Sequence, residues 1–109
     1  VKEIRAYIEP LILLELTQAL LDLPNFPGMR TSDCLGCPGT KEINENSEFE
    51  LFMKKKRIDI FAPDEMVDSI ISILRANNNQ HCIDNIYLIN TTEIVPISLG
   101  SSIKQTEKF

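Results

Sequence analysis

The chain has 109 residues, 43% hydrophobic and only 6% aromatic, with a formal net charge of −5. That is the size of one domain, large enough for a single core built on Ile and Leu without staples, and its acidic balance argues against a nucleic-acid ligand, whose phosphates demand a basic surface. No apolar run approaches the ~20 residues that span a bilayer, and no charged start, apolar run and small-residue cleavage site read as a signal peptide, so a soluble cytoplasmic protein is expected.

Ile4, Ala6 and Ile8 alternate with Glu3, Arg5, Tyr7 and Glu9, the pattern of a strand with one apolar face. Pro10, which has no N–H to give to a ladder, ends it. Leu13, Leu16, Leu20 and Leu23 then recur at helical spacing, Pro24 closes the helix, and residues 25–28 (Asn-Phe-Pro-Gly) turn the chain. Residues 29–35 read as extended. A long connection follows over 37–53, far beyond the 2–5 residues a hairpin needs. Residues 57–62 alternate like a strand, Asp64 is placed to cap a helix with Glu65 in its first turn, and Val67, Ile70, Ile71 and Leu74 form the helical stripe. Three asparagines at 77–79 end it, 86–89 read as a further strand, and a short extended piece is expected at 93–98.

The order βαββαβ predicts a ferredoxin-like α+β domain over residues 1–98, with two helices on one face of an antiparallel sheet. Residues 99–109 form a polar tail. Strands this rich in Ile and Leu are expected to present a second apolar face that other subunits must cover.

The stretch KEIRAYIEP, the NFPGM turn, the short strand into D-C-L-G, and RIDIFAPDEMVDSI resemble the nitrogen-regulatory P-II signalling family, over roughly residues 1–36 and 55–98. The resemblance implies a homotrimer of ferredoxin-like subunits that signals by binding. It implies an adenine nucleotide, often with 2-oxoglutarate, held between subunits, and a target protein gripped by the long connection over 37–53. A membrane transporter or efflux component is one class of target, since some P-II-like proteins accompany heavy-metal efflux systems. The family's connection can carry a tyrosine that is uridylylated. Here it holds Phe49 and Phe52 and no Tyr, so that regulation is not expected. Polar and glycine-containing, the connection is expected to be mobile until a partner orders it.

Carried onto this chain, the family's ligand positions fall on Gly36 at the loop base, Lys55, Asn85 and Gly100. Lys55 stands where a family lysine meets 2-oxoglutarate. The phosphate-cradling loop, of the type T-G-x-x-G-D-G-K, is replaced by N-N-Q-H-C-I-D-N over 78–85. No glycine remains there, and Asn85 stands in place of the lysine. Of the R-x-R-T-G pattern near the last strand only Gly100 survives. Each charge-assisted phosphate contact contributes ~1.5–3 kcal/mol, so weak nucleotide binding is expected.

Three cysteines and the single histidine cluster in the vacated loops. Cys34 and Cys37 form a C-x-x-C, and His81 and Cys82 are adjacent. In the P-II fold these loops face each other, so the resemblance would bring Cys34, Cys37, His81 and Cys82 to one point, a Cys₃His set suited to Zn²⁺ or Cu(I). Ordinary thiols and a Cys34/Cys37 redox switch are the other readings of the same residues. No Ser-His-Asp set, Walker loop or carboxylate pair suggests catalysis, and no enzyme is expected. The alternative to a P-II-like regulator is a metal-binding protein resembling the divalent-cation-tolerance proteins, which share the fold; a nucleotide-independent adaptor trimer is the third reading.

Overall fold

The structure, a computed structural model, describes residues 1–37, 52–79, 81–95 and 97. Strand β1 (Lys2–Ile8) leads through a single 3₁₀ turn at Pro10–Ile12 into helix α1 (Leu13–Leu21). Strands β2 (Arg30–Gly36) and β3 (Met53–Ala62), helix α2 (Asp64–Ala76) and strand β4 (Ile83–Asn90) complete the order. The four strands form one sheet, β2-β3-β1-β4, in which every neighbouring pair is antiparallel. This is the expected α+β, ferredoxin-like arrangement.

Local chemistry explains most boundaries. Pro10 ends β1 and opens the 3₁₀ turn, where its missing N–H is no loss. Helix α1 stops at Leu21, short of Pro24, because the chain tightens into turns closed by Leu23 N–H to Leu20 O and Phe26 N–H to Leu23 O. Asn25 (φ 61°) and Gly28 (φ 101°) take left-handed conformations there. Asp64 is not the cap of α2. Pro63 takes that position, and Asp64 and Glu65 both sit in the first turn, where the helix dipole favours them. At the other end the Asn77 side chain donates to Ile73 O at 2.8 Å. Strand β4 begins at Ile83, earlier than its apolar run suggested, with a register irregularity opposite Ala6 to Ile8. Residues 91–95 form no strand, so the expected final extended element is absent there. No helix among the described residues is long and apolar enough to cross a membrane.

Period-two alternation sends Ile4, Ala6 and Ile8 of β1, and Ile58, Ile60 and Ala62 of β3, to one side, where Leu16, Leu20, Ile70 and Leu74 of the two helices cover them. The opposite side is not the second apolar face expected from sequence. Its centre is Glu3, Arg5, Arg57 and Asp59, flanked by Tyr7 against Tyr87 (centroids 6.2 Å apart, edge to face) and by Arg30 over the Phe61 ring at 5.2 Å. The isoleucines of β1 and β3 all share the helix side.

Arg5 Nη2 donates to Glu3 Oε2 at 2.8 Å and Arg5 Nε to Asp59 Oδ1 at 3.1 Å, while Arg57 Nε donates to Asp59 Oδ2 at 3.0 Å. Glu3 is buried. Burial works against the charge on Asp59, but hydrogen bonding with Glu3, Arg57 and Arg5 prevails and holds its carboxyl below the ordinary value of 3.8.

Candidate functional site

The open side of the sheet is hollowed at one end, where β1 and β2 finish and β3 and β4 begin. The cavity there measures about 840 Å³ and is lined by Gly36, Lys55 and Asn85, by Cys34 and Cys37, and by Tyr7 and Tyr87, among others. Three of the four ligand positions inferred from the sequence therefore meet in one place; Gly100 lies outside the described residues. The cavity sits at the root of the long connection, whose residues 38–51 also lie outside them.

Register explains the convergence. Cys34 stands opposite Lys55, and Gly36 opposite Met53, in the β2–β3 ladder. On the other side of β3 the end of β1 brings Glu9, whose N–H donates to Cys82 O at 2.8 Å and so ties β1 to the residue before β4. Lys55 Nζ donates to Glu9 Oε2 at 2.5 Å and lies 3.6 Å from Asp84 Oδ2. Its side chain is only 12% exposed. Burial alone would lower its pKa, but the Glu9 hydrogen bond and the Asp84 charge outweigh burial and raise it above the ordinary 10.5.

This geometry limits the chemistry. The Lys55 ammonium is shared between two carboxylates, so an incoming phosphate would have to displace one of them and then face the other. Gly36 is ordinary extended strand, and a Cβ there would meet Lys55 Cγ at 3.7 Å, a normal contact; its glycine is not what keeps the cavity open. The only left-handed non-glycine residue in the loop before β4, among those described, is His81 (φ 54°). Its N–H donates to Asn78 O at 3.2 Å, closing a tight turn. The Asn78 side chain in turn accepts from Ile83 N–H at 2.8 Å. Asn78 thus closes this loop from both its carbonyl and its side chain.

The proposed Cys₃His set does not assemble within one chain. Cys34 is on β2 and Cys82 immediately precedes β4, the two opposite edges of the sheet, three strand spacings or about 14 Å apart. Cys82 is buried and borders a different hollow, with Leu11, Ile12, Glu15 and Asn77. Cys34 and Cys37 border the same cavity, but the chain between them is extended through Gly36. That separates their Cα atoms by roughly 10 Å, too far for a disulfide or a two-thiolate chelate unless 35–36 leave the ladder. Among the described residues no group of three or more His, Cys, Asp or Glu side chains could hold a metal ion.

Sequence reading missed Glu9, Asp84, Tyr7 and Tyr87. Tyr7 and Glu9 stood on the polar side of the β1 alternation beside Arg5, and that shared face was the available signal. The basic run at 54–57 also divides by alternation: Lys55 and Arg57 join the open side, whereas Lys56 pairs with Asp33 on the helix side.

No family model matches the sequence, and no curated protein matches it. Among solved structures, a DUF3240 family protein from Shewanella baltica OS155 is similar, with a TM-score of 0.73 over 89% of this chain and 96% of that chain at 9% sequence identity. At that identity the likeness shows the fold alone. With 141 solved chains matching, the architecture is widely used and leaves function to the site.

Proposed function

We propose that this chain is a P-II-like regulatory protein that acts by binding. It works as a homotrimer, holds a small effector in the Lys55 cavity, and engages a target protein through the connection that starts at that cavity's rim. The observation that supports this reading is the meeting of Gly36, Lys55 and Asn85 in one cavity at the root of the connection. Each is a ligand position that the P-II resemblance implies.

The adenine-nucleotide part of the ancestral role is weak in this reading, because Lys55 is already engaged by Glu9 and Asp84. The regulator carries out no chemistry and works in the cytoplasm, with a membrane transporter or efflux component as the class of target. A Zn²⁺ or Cu(I) role for Cys34, Cys37, His81 and Cys82 has no supporting observation within one chain.

Thermal shift of the wild type, Lys55→Met and Asn85→Ala against ATP, ADP, AMP, 2-oxoglutarate and bicarbonate tests the cavity, since a ligand bound only by the native state raises the melting temperature. The expected result is no shift with ATP at millimolar concentration, and a shift with a smaller ligand that both substitutions abolish. A low-micromolar Mg-ATP constant would show that other residues replace the lost phosphate contacts. A ligand shift that survives Lys55→Met would place the effector elsewhere.

A further inference from the structure

The Lys55 cavity carries its charges as an adjacent pair. Among the described residues that line it, Lys55 is the only cation and Asp84 the only carboxylate. They lie 3.6 Å apart, Nζ to Oδ2, beyond ordinary hydrogen-bond length. Glu9, which is not part of the lining, is the closer partner and accepts one N–H of the ammonium at 2.5 Å. An ammonium has three donors, so Glu9 leaves two for the cavity. Asp84 is also the more open of the pair, its side chain 54% exposed.

A bulge sets the polar rim. Ile86 pairs with Ala6 and Ile83 with Ile8, so Asp84 and Asn85 together stand opposite Tyr7 alone. A step of two residues against one re-aims side chains, which is why bulges recur beside binding sites. Both residues here line the cavity. Asn85 brings an amide that can donate and accept. The remaining wall is aromatic and apolar, with Tyr7 and Tyr87 edge to face and the side chains of Leu35 and Met53 largely exposed. The volume of about 840 Å³ falls within the ~300–1,000 Å³ of small-molecule sites.

Charge balance selects the ligand. Lys55 is surrounded by two carboxylates, Glu9 and Asp84. A phosphate or a dicarboxylate adds to that negative excess. A simple amine answers Asp84 but sets a second cation beside Lys55. A zwitterion does neither. Its carboxylate takes the free N–H groups of Lys55 and the Asn85 amide, and its ammonium takes Asp84 beside the tyrosine rings, whose faces attract cations. Lys55 keeps Glu9 throughout. One carbon separates the two charges of an α-amino acid, matching a cation and a carboxylate as close as Lys55 and Asp84. We infer that the cavity binds a free α-amino acid with an uncharged, apolar side chain, its carboxylate on Lys55 and Asn85 and its ammonium on Asp84. The inference rests on the reading of this cavity as the effector site and names the effector's class.

Calorimetry on the full chain tests it with L-leucine and L-phenylalanine, their N-acetyl and amide derivatives, L-glutamate, 2-oxoglutarate and inorganic phosphate. The expected result is binding of leucine or phenylalanine by the wild type. Blocking either charge of that amino acid, or offering an anion instead, should weaken binding at least tenfold. Asp84→Asn should lose the amino acid and bind phosphate more tightly, whereas Lys55→Met should lose both. Should Asp84→Asn disturb the fold, the blocked derivatives decide on the wild type. An amide that binds as well as the free amino acid would make the ligand an amine, and an equal N-acetyl derivative would make it a carboxylate; either overturns the inference, as does amino-acid binding undiminished in Asp84→Asn. Lys55-dependent binding of 2-oxoglutarate with none of either amino acid would overturn it too, and leave the effector cavity standing. A cavity that takes none of these ligands would remove both.

Discussion

Strands β1 and β3 carry two chemistries on alternate residues, and the contrast shows where stability and function divide. On the helix side Ile4, Ile8, Ile58 and Ile60 are fully buried against leucines and isoleucines of α1 and α2. On the open side, one residue away at each step, the same strands hold Glu3, Arg5, Arg57 and Asp59 in mutual ion pairs. The first set gains from leaving water. The second loses solvation and recovers it only through its partners, so it adds less stability per residue and far more specificity about what may lie against it. The Lys55 cavity belongs to this second, polar side.

The largest expected effect lies on the helix side. Ile60→Ala should destabilise the protein by about 2–4 kcal/mol, the transfer term plus the cavity left in a packed core, read as a lower urea midpoint at unchanged slope. A loss under about 1 kcal/mol would mean the core collapses around the gap and the two sides are less different than their burial indicates.

Next comes the polar side. Asp59→Ala removes the carboxylate that both arginines share and should cost about 1–2 kcal/mol at neutral pH, limited by partial solvent access to the network. Its pKa is depressed in the fold. The stabilisation is therefore present above the ordinary value of 3.8, and is lost as pH falls through the lower folded value. Wild type should lose stability in that acid window, and Asp59→Asn should be flatter there. Parallel acid limbs in the two proteins would show that Asp59 is not held by the arginines.

How much of this was legible beforehand follows from the range of each signal. Alternation at 3–9 and 57–62 and the stripe at Val67, Ile70, Ile71 and Leu74 are local, and they located both central strands and α2 correctly. The same alternation, read one strand at a time, did not reveal that the isoleucines of β1 and β3 share a side, because that depends on the register Ile4 to Ile60 and Ala6 to Ile58. The separation of Cys34 from Cys82 is likewise a consequence of strand order, invisible in spacing along the chain. The P-II resemblance points to Lys55, but its partners Glu9 and Asp84 come from β1's end and β4's start, and no local pattern joins them. In the cavity, sequence pointed to Gly36, Lys55 and Asn85, and only the fold showed the residues around them and how the Lys55 charge is engaged.

The smallest and most discriminating expectation concerns Lys55 itself. If its charge serves Glu9 and Asp84 rather than standing ready for a phosphate, Lys55→Met should cost only about 1 kcal/mol at neutral pH, because both carboxylates keep enough solvent access to be rehydrated. The pH dependence carries the sharper test. A lysine whose pKa is raised in the fold contributes stability that is fully present below its ordinary value of 10.5 and disappears as pH rises through the folded value. Urea midpoints should therefore fall more steeply above that value in wild type than in Lys55→Met, and Glu9→Gln should flatten the same alkaline limb because it removes the charge on the hydrogen-bond partner chiefly responsible for the rise. Ligand binding separates the two roles of the residue. Glu9→Gln frees the ammonium and should strengthen binding of an anion such as inorganic phosphate, whereas Lys55→Met should abolish it. Equal, weak phosphate binding in wild type and Glu9→Gln would mean that the carboxylates do not gate the cavity, and that its selectivity comes from its aromatic wall of Tyr7 and Tyr87.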